Sequence, residues 1–204
     1  IMQNFRAMNK EYEEFAKEKS NCRKCPLFEC HRHVLQSEGN AKNPVFIIVG
    51  EAPGRQEIEQ NRPFIGPAGQ VLREELRKHP KTFNRQTTLI TNTIACRPEN
   101  NKFPSNNEWV STCIANWFDR EMKIVHPKVI ITLGNVPLRF IRGEADGITK
   151  MRGTWTFSEK YNAWCFSTFH PSYVMRCMRA KKHEVVENFS KDFSTVADTW
   201  IEKV

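Results

Sequence analysis

The sequence predicts a three-layer α/β/α sandwich around a central four-stranded, mostly parallel sheet. Three observations predict it: four short apolar runs rich in β-branched residues, helical segments between them, and turn-forming residues close behind the runs. Strands that alternate with helices are typical of parallel sheets, because parallel strands need long crossover connections. The four predicted strands are residues 45–49, 87–91, 129–133 and 163–168.

The helices are predicted from the spacing of apolar residues. An N-terminal helix over about 2–20 has apolar residues at helical spacing, which we expect to pack against the core: Phe5, Met8, Tyr12, Phe15 and Ala16. A helix over about 105–126 has Ser105 as its predicted N-cap and Glu108 as the partner in a capping box. The other predicted helices cover about 68–79, 135–142 and 181–202. Residues 36–44 and 143–155 are predicted loops, the second with a marginal strand at its end.

Length and composition predict one domain over residues 1–204 with room for a hydrophobic core. The chain is 39% hydrophobic, has no long apolar run, and has no signal-peptide-like apolar segment at its start. We therefore expect an intracellular protein of the cytoplasm or nucleoid, with no membrane contact. The net charge of +8 is compatible with binding to a polyanion such as nucleic acid.

The carboxyl ends of the predicted strands indicate a ligand site, because parallel strands all end at one edge of the sheet. The first strand continues into a Gly/Pro loop with Glu51, Glu57 and Phe64, the second ends at Asn92, and the fourth runs into His170. A stacking ring, an amide with a donor and an acceptor, and a histidine suit a planar heterocycle such as a pyrimidine. Each residue also has a structural alternative, as a turn residue or as part of the core.

Seven cysteines raise the question of a metal site. Cys22 and Cys25 form a C-x-x-C pair, which in an intracellular protein indicates either a metal ligand pair or a redox motif. Cys30 and His31 nearby leave a zinc site open as well. Spacing alone does not choose among these.

Five motifs together resemble the iron–sulfur (family 4) uracil-DNA glycosylases. The similarity extends from about residue 22 to about residue 182, and the motifs occur in the family's order. They are GEAPG at 50–54, RPFIGPAG at 62–69, TN at 91–92 with CRP at 96–98, PKVIITLG at 127–134, and HPSY at 170–173. The resemblance implies the uracil-DNA glycosylase-like fold and a monofunctional hydrolase that flips uracil out of DNA and cleaves its N-glycosidic bond.

The resemblance also implies roles for residues of the pocket. Phe64 would stack on the base, Asn92 would read its polar edge, and Glu57 would exclude thymine by crowding C5. Glu51 and the backbone near Ala52 would position the attacking water, and His170 would stabilise the departing uracil anion. Residues 170–176 resemble a loop that enters the duplex, where Ser172 would meet a phosphate and Met175 or Arg176 would fill the vacated space. Basic residues at 176–182, together with Lys150 and Arg152, are expected to add DNA contacts.

A [4Fe–4S] cluster is the implied cofactor, with Cys22, Cys25, Cys96 and Cys113 as its four ligands. Zinc in the same four thiolates is the competing interpretation. Cys30, Cys165 and Cys177 fall outside the ligand set. The implied partner is DNA that contains uracil, single- or double-stranded, and we expect a monomer.

Two departures from the family pattern affect the expected function. Ile58 stands where an acidic residue is common, and residues 144–148 lack the basic, histidine-bearing insert of relatives that cross-link to DNA, so we expect ordinary turnover. Two alternatives remain: a non-catalytic DNA-binding module that retains the fold and cluster, and a glycosylase for another modified pyrimidine. The presence of Glu51, Phe64, Asn92 and His170 together favours the uracil enzyme.

Overall fold

The computed structural model describes residues 2–204, with side chains from Lys10 onward. The predicted side-chain packing of Phe5 and Met8 lies outside the described residues. The strands are β1 (Glu38–Gly39), β2 (Phe46–Gly50), β3 (Thr88–Asn92), β4 (Val129–Leu133), β5 (Trp155–Ser158) and β6 (Ala163–Thr168). They form one six-stranded sheet in the order β1-β3-β2-β4-β6-β5.

The four central strands of this sheet are parallel, and they are the four that the sequence predicts. The strand count was wrong, because β1 and β5 add an antiparallel strand at each edge. β1 lies within the predicted loop 36–44 and has only two residues, too few to show a strand period. Its Gly39 has φ +126°, and a Cβ there would lie 2.1 Å from the carbonyl oxygen of Thr88, so only glycine fits this approach.

Helices cover both faces of the sheet. They are α1 (Met2–Ser20), α2 (Leu27–His31), α3 (Arg55–Gln60), α4 (Pro67–Arg77), α5 (Asn107–Cys113), α6 (Asp119–Val125), α7 (Asn135–Phe140), α8 (Ile148–Met151), α9 (Pro171–Arg179) and α10 (His183–Thr199). A π-helical turn (Ile114–Phe118) joins α5 to α6, and 3₁₀ turns cover Glu99–Asn101 and Trp200–Glu202. None of the helices within residues 2–204 is both long and apolar enough to span a membrane.

The predicted helix over 105–126 forms, but its predicted N-cap was wrong. Asn106, not Ser105, caps α5, because its Oδ1 accepts a hydrogen bond from the Glu108 N–H at 2.9 Å. Four short helices were not predicted: α8 lies in the predicted loop 143–155, α9 in the segment expected to be a duplex-entering loop, and α2 and α3 where no element was predicted. These helices have four to nine residues, which is short for an apolar period to be recognised.

Alternation along the buried strands produces the predicted three layers. In β2, Ile47 and Val49 pack into a core with helices α1, α5 and α6, while Phe46 and Ile48 pack into a second core with α4 and α10. Both faces of the central strands are therefore covered, and the strands appear in the sequence as unbroken apolar runs. The carboxyl ends of these strands all lie at one edge.

Candidate functional site

A cavity of about 180 Å³ lies at the carboxyl edge of the sheet. Its walls come from the segment between β2 and α4, from the end of β3, and from the residue before α9. All five residues predicted to bind the substrate line it: Ala52, Glu57, Phe64, Asn92 and His170. The strand-end argument therefore placed Glu57, Phe64, Asn92 and His170 together correctly.

Phe64 forms part of the cavity wall in a backbone conformation that is rare for a residue with a side chain. Its φ is +53°, and the residue is 6% exposed. Two glycines make room for it. A Cβ at Gly50 would lie 2.4 Å from Phe64 Cζ, and a Cβ at Gly69 would lie 2.1 Å from the Phe64 carbonyl carbon. The motif glycines thus allow close approach of a ring and of a backbone.

Asn92 ends β3 directly beside Gly50 of β2. A Cβ at Gly50 would lie 2.5 Å from Asn92 Oδ1, so the same glycine seats the amide as well as the ring. Among the residues whose side chains the structure describes, none makes a hydrogen bond to the Asn92 side chain. Its donor and acceptor are therefore both available to a ligand in the cavity.

His170 faces Phe64 across the cavity, with ring centroids 6.1 Å apart. Its Nδ1 lies 3.2 Å from the backbone nitrogen of Ser172, which can only donate, so Nδ1 is the acceptor. The proton of the neutral ring is then on Nε2, as a donor for a ligand. Burial, and secondarily the charge of Arg176, lowers the pKa of His170 to about 4, so the ring is neutral at pH 7.

Gly134 determines where this histidine sits. It follows β4 with φ +86°, and a Cβ there would lie 2.9 Å from His170 Cβ. A larger residue would be strained by its own backbone and would press on the histidine. The predicted juxtaposition of the third and fourth strand ends is therefore a direct contact.

Glu57 has a structural contact that the sequence did not indicate. Its Oε1 accepts hydrogen bonds from the backbone N–H of Ile65 (3.0 Å) and Gly66 (2.7 Å). Gly66 is the N-cap of α4, so the carboxylate also lies at the positive end of a helix. Glu57 therefore shapes the loop that carries Phe64 in addition to lining the cavity.

Glu51 lies beside this carboxyl-edge cavity and does not line it. It lines a neighbouring groove of about 490 Å³, which shares Ala52 and His170 with the cavity and extends to Asn101 and Ser172. Burial raises the pKa of the Glu51 carboxyl group. A carboxylate in this position is a stronger base than an exposed one.

The segment predicted as a duplex-entering loop is the helix α9, with His170 as its N-cap. Ser172 is half-buried, with Oγ 2.8 Å from His170 Nδ1, while Met175 is half-buried and Arg176 is exposed. Arg152, which was expected to add a DNA contact, is half-buried. It forms an ion pair with buried Asp192, because the interior leaves that carboxylate no water.

The four predicted cysteine ligands line one small internal cavity. Burial, followed by the proximity of the other thiols, raises the pKa of Cys96, and burial raises that of Cys113 to about 11. Without a metal these thiols would stay protonated, whereas a cluster stabilises thiolates. The Trp117 indole Nε1–H donates to Cys22 Sγ at 3.2 Å, a contact that sequence spacing gave no means to predict.

The donor set fits a thiolate-bound cofactor. Cys30 is exposed and outside the cavity, and Cys165 and Cys177 are buried elsewhere, in β6 and α9. Within the part of the chain whose side chains are described, no three His, Cys, Asp or Glu side chains are grouped so as to hold a single metal ion. Cys22, Cys25, Cys96 and Cys113 nevertheless surround one shared space.

Another cavity, of about 290 Å³, lies behind β1 between Glu38, Arg73 and Phe83. It contains none of the predicted site residues. The smaller cavity at the carboxyl edge is the better candidate for chemistry, because it combines a ring, an unpaired amide and a histidine.

Comparison with known proteins gives a consistent set of similarities. Residues 36–194 match the family model described as Uracil DNA glycosylase superfamily. The chain is 36% identical to the Type-4 uracil-DNA glycosylase of Sulfurisphaera tokodaii over 170 residues, which are 80% of this chain and 75% of that protein. It is also 36% identical to the Thermotoga maritima protein of the same name over 159 residues, 76% and 78% of the two chains. The Archaeoglobus fulgidus counterpart is 29% identical over 192 residues, 91% and 92%.

Proposed function

Because the chain belongs to the uracil-DNA glycosylase superfamily and to its type-4 family, we propose that it removes uracil from DNA by hydrolysing the N-glycosidic bond. The observation that supports this proposal most is the carboxyl-edge cavity, which brings together the Phe64 ring, the unpaired Asn92 amide and the neutral His170 ring. The products would be free uracil and an abasic site, as in the first step of base excision repair. The base must leave the stack to reach the cavity, at a cost of a few kcal/mol.

Each wall of the cavity has a role in recognising the extruded base. Phe64 stacks on the pyrimidine face, and the Asn92 amide donates to one polar group on its edge and accepts from the next. Glu57 crowds the position of a 5-methyl group and so excludes thymine. The positions of Glu57 and Phe64 support the roles proposed for them, since both residues line the cavity.

The chemistry is a displacement at C1′ of the deoxyribose. A water oxygen forms a bond to C1′, the C1′–N1 bond breaks, and its electron pair leaves with uracil as an anion. His170 Nε2–H donates a hydrogen bond to the uracil oxygen where this charge develops, an interaction that strengthens in the transition state. Glu51, beside Ala52 in the groove, orients the water and accepts its proton.

The groove and α9 are the proposed path of the DNA strand. Ser172 lies where the groove meets His170, in position for a phosphate, and exposed Arg176 adds positive charge. We propose that Met175 or Arg176 fills the space left by the base. We also propose that the protein acts as a monomer in the compartment that holds the DNA, the cytoplasm or nucleoid.

The pH dependence of kcat/KM should be governed by Glu51 and not by His170. His170, with a pKa of about 4, stays neutral throughout the range above pH 5. Glu51 has a raised pKa, so its carboxylate is lost first as the pH falls. We therefore expect an acid limb that disappears in Glu51→Gln. A limb centred near 6.5 that disappears only when His170 is replaced would contradict this assignment.

We further propose that Cys22, Cys25, Cys96 and Cys113 bind a [4Fe–4S] cluster. When bound, the cluster would supply a cross-link between the segment before α2 and the segments around β3 and α5, with no part in the hydrolysis. Cys96 precedes Pro98, which lines the groove, so the cross-link would fix one groove wall. The shared cavity of the four thiols supports this proposal over separate roles for them.

Purified protein should therefore contain about four irons per chain and show a broad visible absorbance band. Cys96→Ser should lose both iron and absorbance, and it should unfold at a lower temperature. Cys30→Ser is the matched control, because Cys30 is exposed and lies outside the cavity. About one zinc per chain and no visible band would instead support the zinc alternative.

The proposed activity can be tested with oligonucleotides that differ only in one base. Single- and double-stranded DNA with one uracil should become alkali-labile at that position, whereas the matched thymine oligonucleotide should not. Asn92→Ala should reduce the rate on both uracil substrates. Equal cleavage of the uracil and thymine DNA would show that Glu57 is no methyl filter, and absence of cleavage would remove the proposed function.

A further inference from the structure

The loop that carries Phe64 is held from behind by Arg73 on α4. Arg73 Nε donates to the Phe64 carbonyl oxygen at 2.8 Å, and Nη2 donates to the Pro63 carbonyl oxygen at 2.8 Å. One guanidinium thus binds two successive backbone carbonyls of this loop. Glu57 in turn holds the backbone N–H groups of Ile65 and Gly66.

Arg73 is itself fixed by Glu38 from the edge strand β1. Its Nη2 donates to Glu38 Oε2 at 2.9 Å, and Arg62 Nη2 donates to Glu38 Oε1 at 2.8 Å. Burial alone would raise the pKa of Glu38, but the two arginines outweigh burial and lower it. The carboxylate therefore stays charged at neutral pH. The edge strand β1 thus positions the carboxylate that holds Arg73.

The hydrogen bonds of Arg73 act on Phe64, the one non-glycine residue lining the pocket whose φ is positive. Phe64 has φ +53°. For a residue with a side chain this conformation is unfavourable in free energy, and it persists only where the surrounding structure enforces it. Arg73 is suited to the task because its planar fork can reach two acceptors and a carboxylate together. A lysine has the charge but not the fork.

We propose that Arg73 is a positioning residue that fixes the Phe64 ring as the stacking surface for the extruded base. The inference rests on the proposed uracil-DNA glycosylase function, and it adds a residue outside the pocket to the machinery. Without Arg73, the Phe64 loop would relax toward ordinary φ, and the ring would leave its place beside Gly50 and Asn92. Base binding would suffer, with the water and His170 unaffected.

The test compares Arg73→Ala with Arg77→Ala, an exposed arginine one turn further along the same helix. We expect Arg73→Ala to lower kcat/KM for uracil-containing DNA by about 10- to 100-fold. The loss should appear mainly in KM and in weaker inhibition by free uracil. Arg77→Ala should match the wild type. Added guanidinium ion should restore part of the activity of Arg73→Ala, a rescue that a merely destabilised fold would not show.

A double-mutant cycle with Phe64→Ala identifies the target of Arg73. If Arg73 acts through Phe64, then adding Arg73→Ala to Phe64→Ala should change kcat/KM by less than about threefold. A full additional loss in the double variant would overturn the proposal, as would wild-type activity in Arg73→Ala. If the wild type itself releases no uracil, the proposed function fails instead, so the two failures are distinguishable.

Discussion

Replacing His170 with alanine is expected to lower the single-turnover rate of uracil release by about 100- to 1,000-fold. The neutral ring donates through Nε2–H, because Nδ1 is occupied by the Ser172 N–H. In the proposed mechanism, alanine removes that donor from the uracil oxygen where negative charge develops, so the loss falls on the transition state. Affinity for uracil-containing DNA, measured by fluorescence anisotropy, should stay within a few fold of the wild type.

The matched control for this substitution is His126→Asn. His126 is exposed, lies before β4 and so away from the carboxyl edge, and has φ +46°, a conformation that asparagine tolerates. This variant should release uracil at the wild-type rate. If His170→Ala retained more than about a tenth of the rate, leaving-group stabilisation would have to come from another group.

Replacing Gly50 with alanine should be nearly as damaging, although the change adds one methyl group and no charge. The new Cβ would lie 2.4 Å from Phe64 Cζ and 2.5 Å from Asn92 Oδ1, so both of these side chains must move. A misplacement of about 1 Å can cost on the order of 100-fold in activity, and we expect at least that loss in kcat/KM. The cost of overpacking to the stability of the fold is about 1–3 kcal/mol, measurable by denaturant unfolding.

Gly147→Ala provides the control for this second prediction. A Cβ at Gly147 would have Asn135 Oδ1 as its nearest neighbour, at 3.8 Å, which is ordinary contact, so activity should not change. Normal uracil release by Gly50→Ala would mean that Phe64 and Asn92 can both shift without effect. They could not then be the stacking surface and the polar reader of the pocket.

The sequence was sufficient to predict the central strands and the convergence of the pocket residues. Phe64, Asn92 and His170 lie far apart in the chain, yet each follows an apolar run, and parallel topology brings the ends of such runs to one edge. The four cysteines also meet around one cavity, as the family resemblance implied. The positions of the strands along the chain are enough to predict which residues meet at the carboxyl edge of the sheet.

The features that the sequence did not reveal depend on single contacts between residues that lie apart in the chain. Glu38 meets Arg73 across 35 positions, and Arg73 meets Phe64 across nine, with no period to mark either contact. The two-residue strand β1 exists through pairing with β3 alone. The ion pair between Arg152 and buried Asp192 joins residues 40 positions apart, and no pattern in the sequence marks it.

The most direct test of the proposed activity is to identify the small molecule that the purified protein releases from DNA. Mass spectrometry of the low-molecular-weight fraction should detect free uracil, with one equivalent per uracil nucleotide in the substrate and the strand intact until alkali is added. The matched thymine oligonucleotide should release no base. Tight binding to uracil-containing DNA without any free uracil would contradict the account and identify the protein as a DNA-binding module.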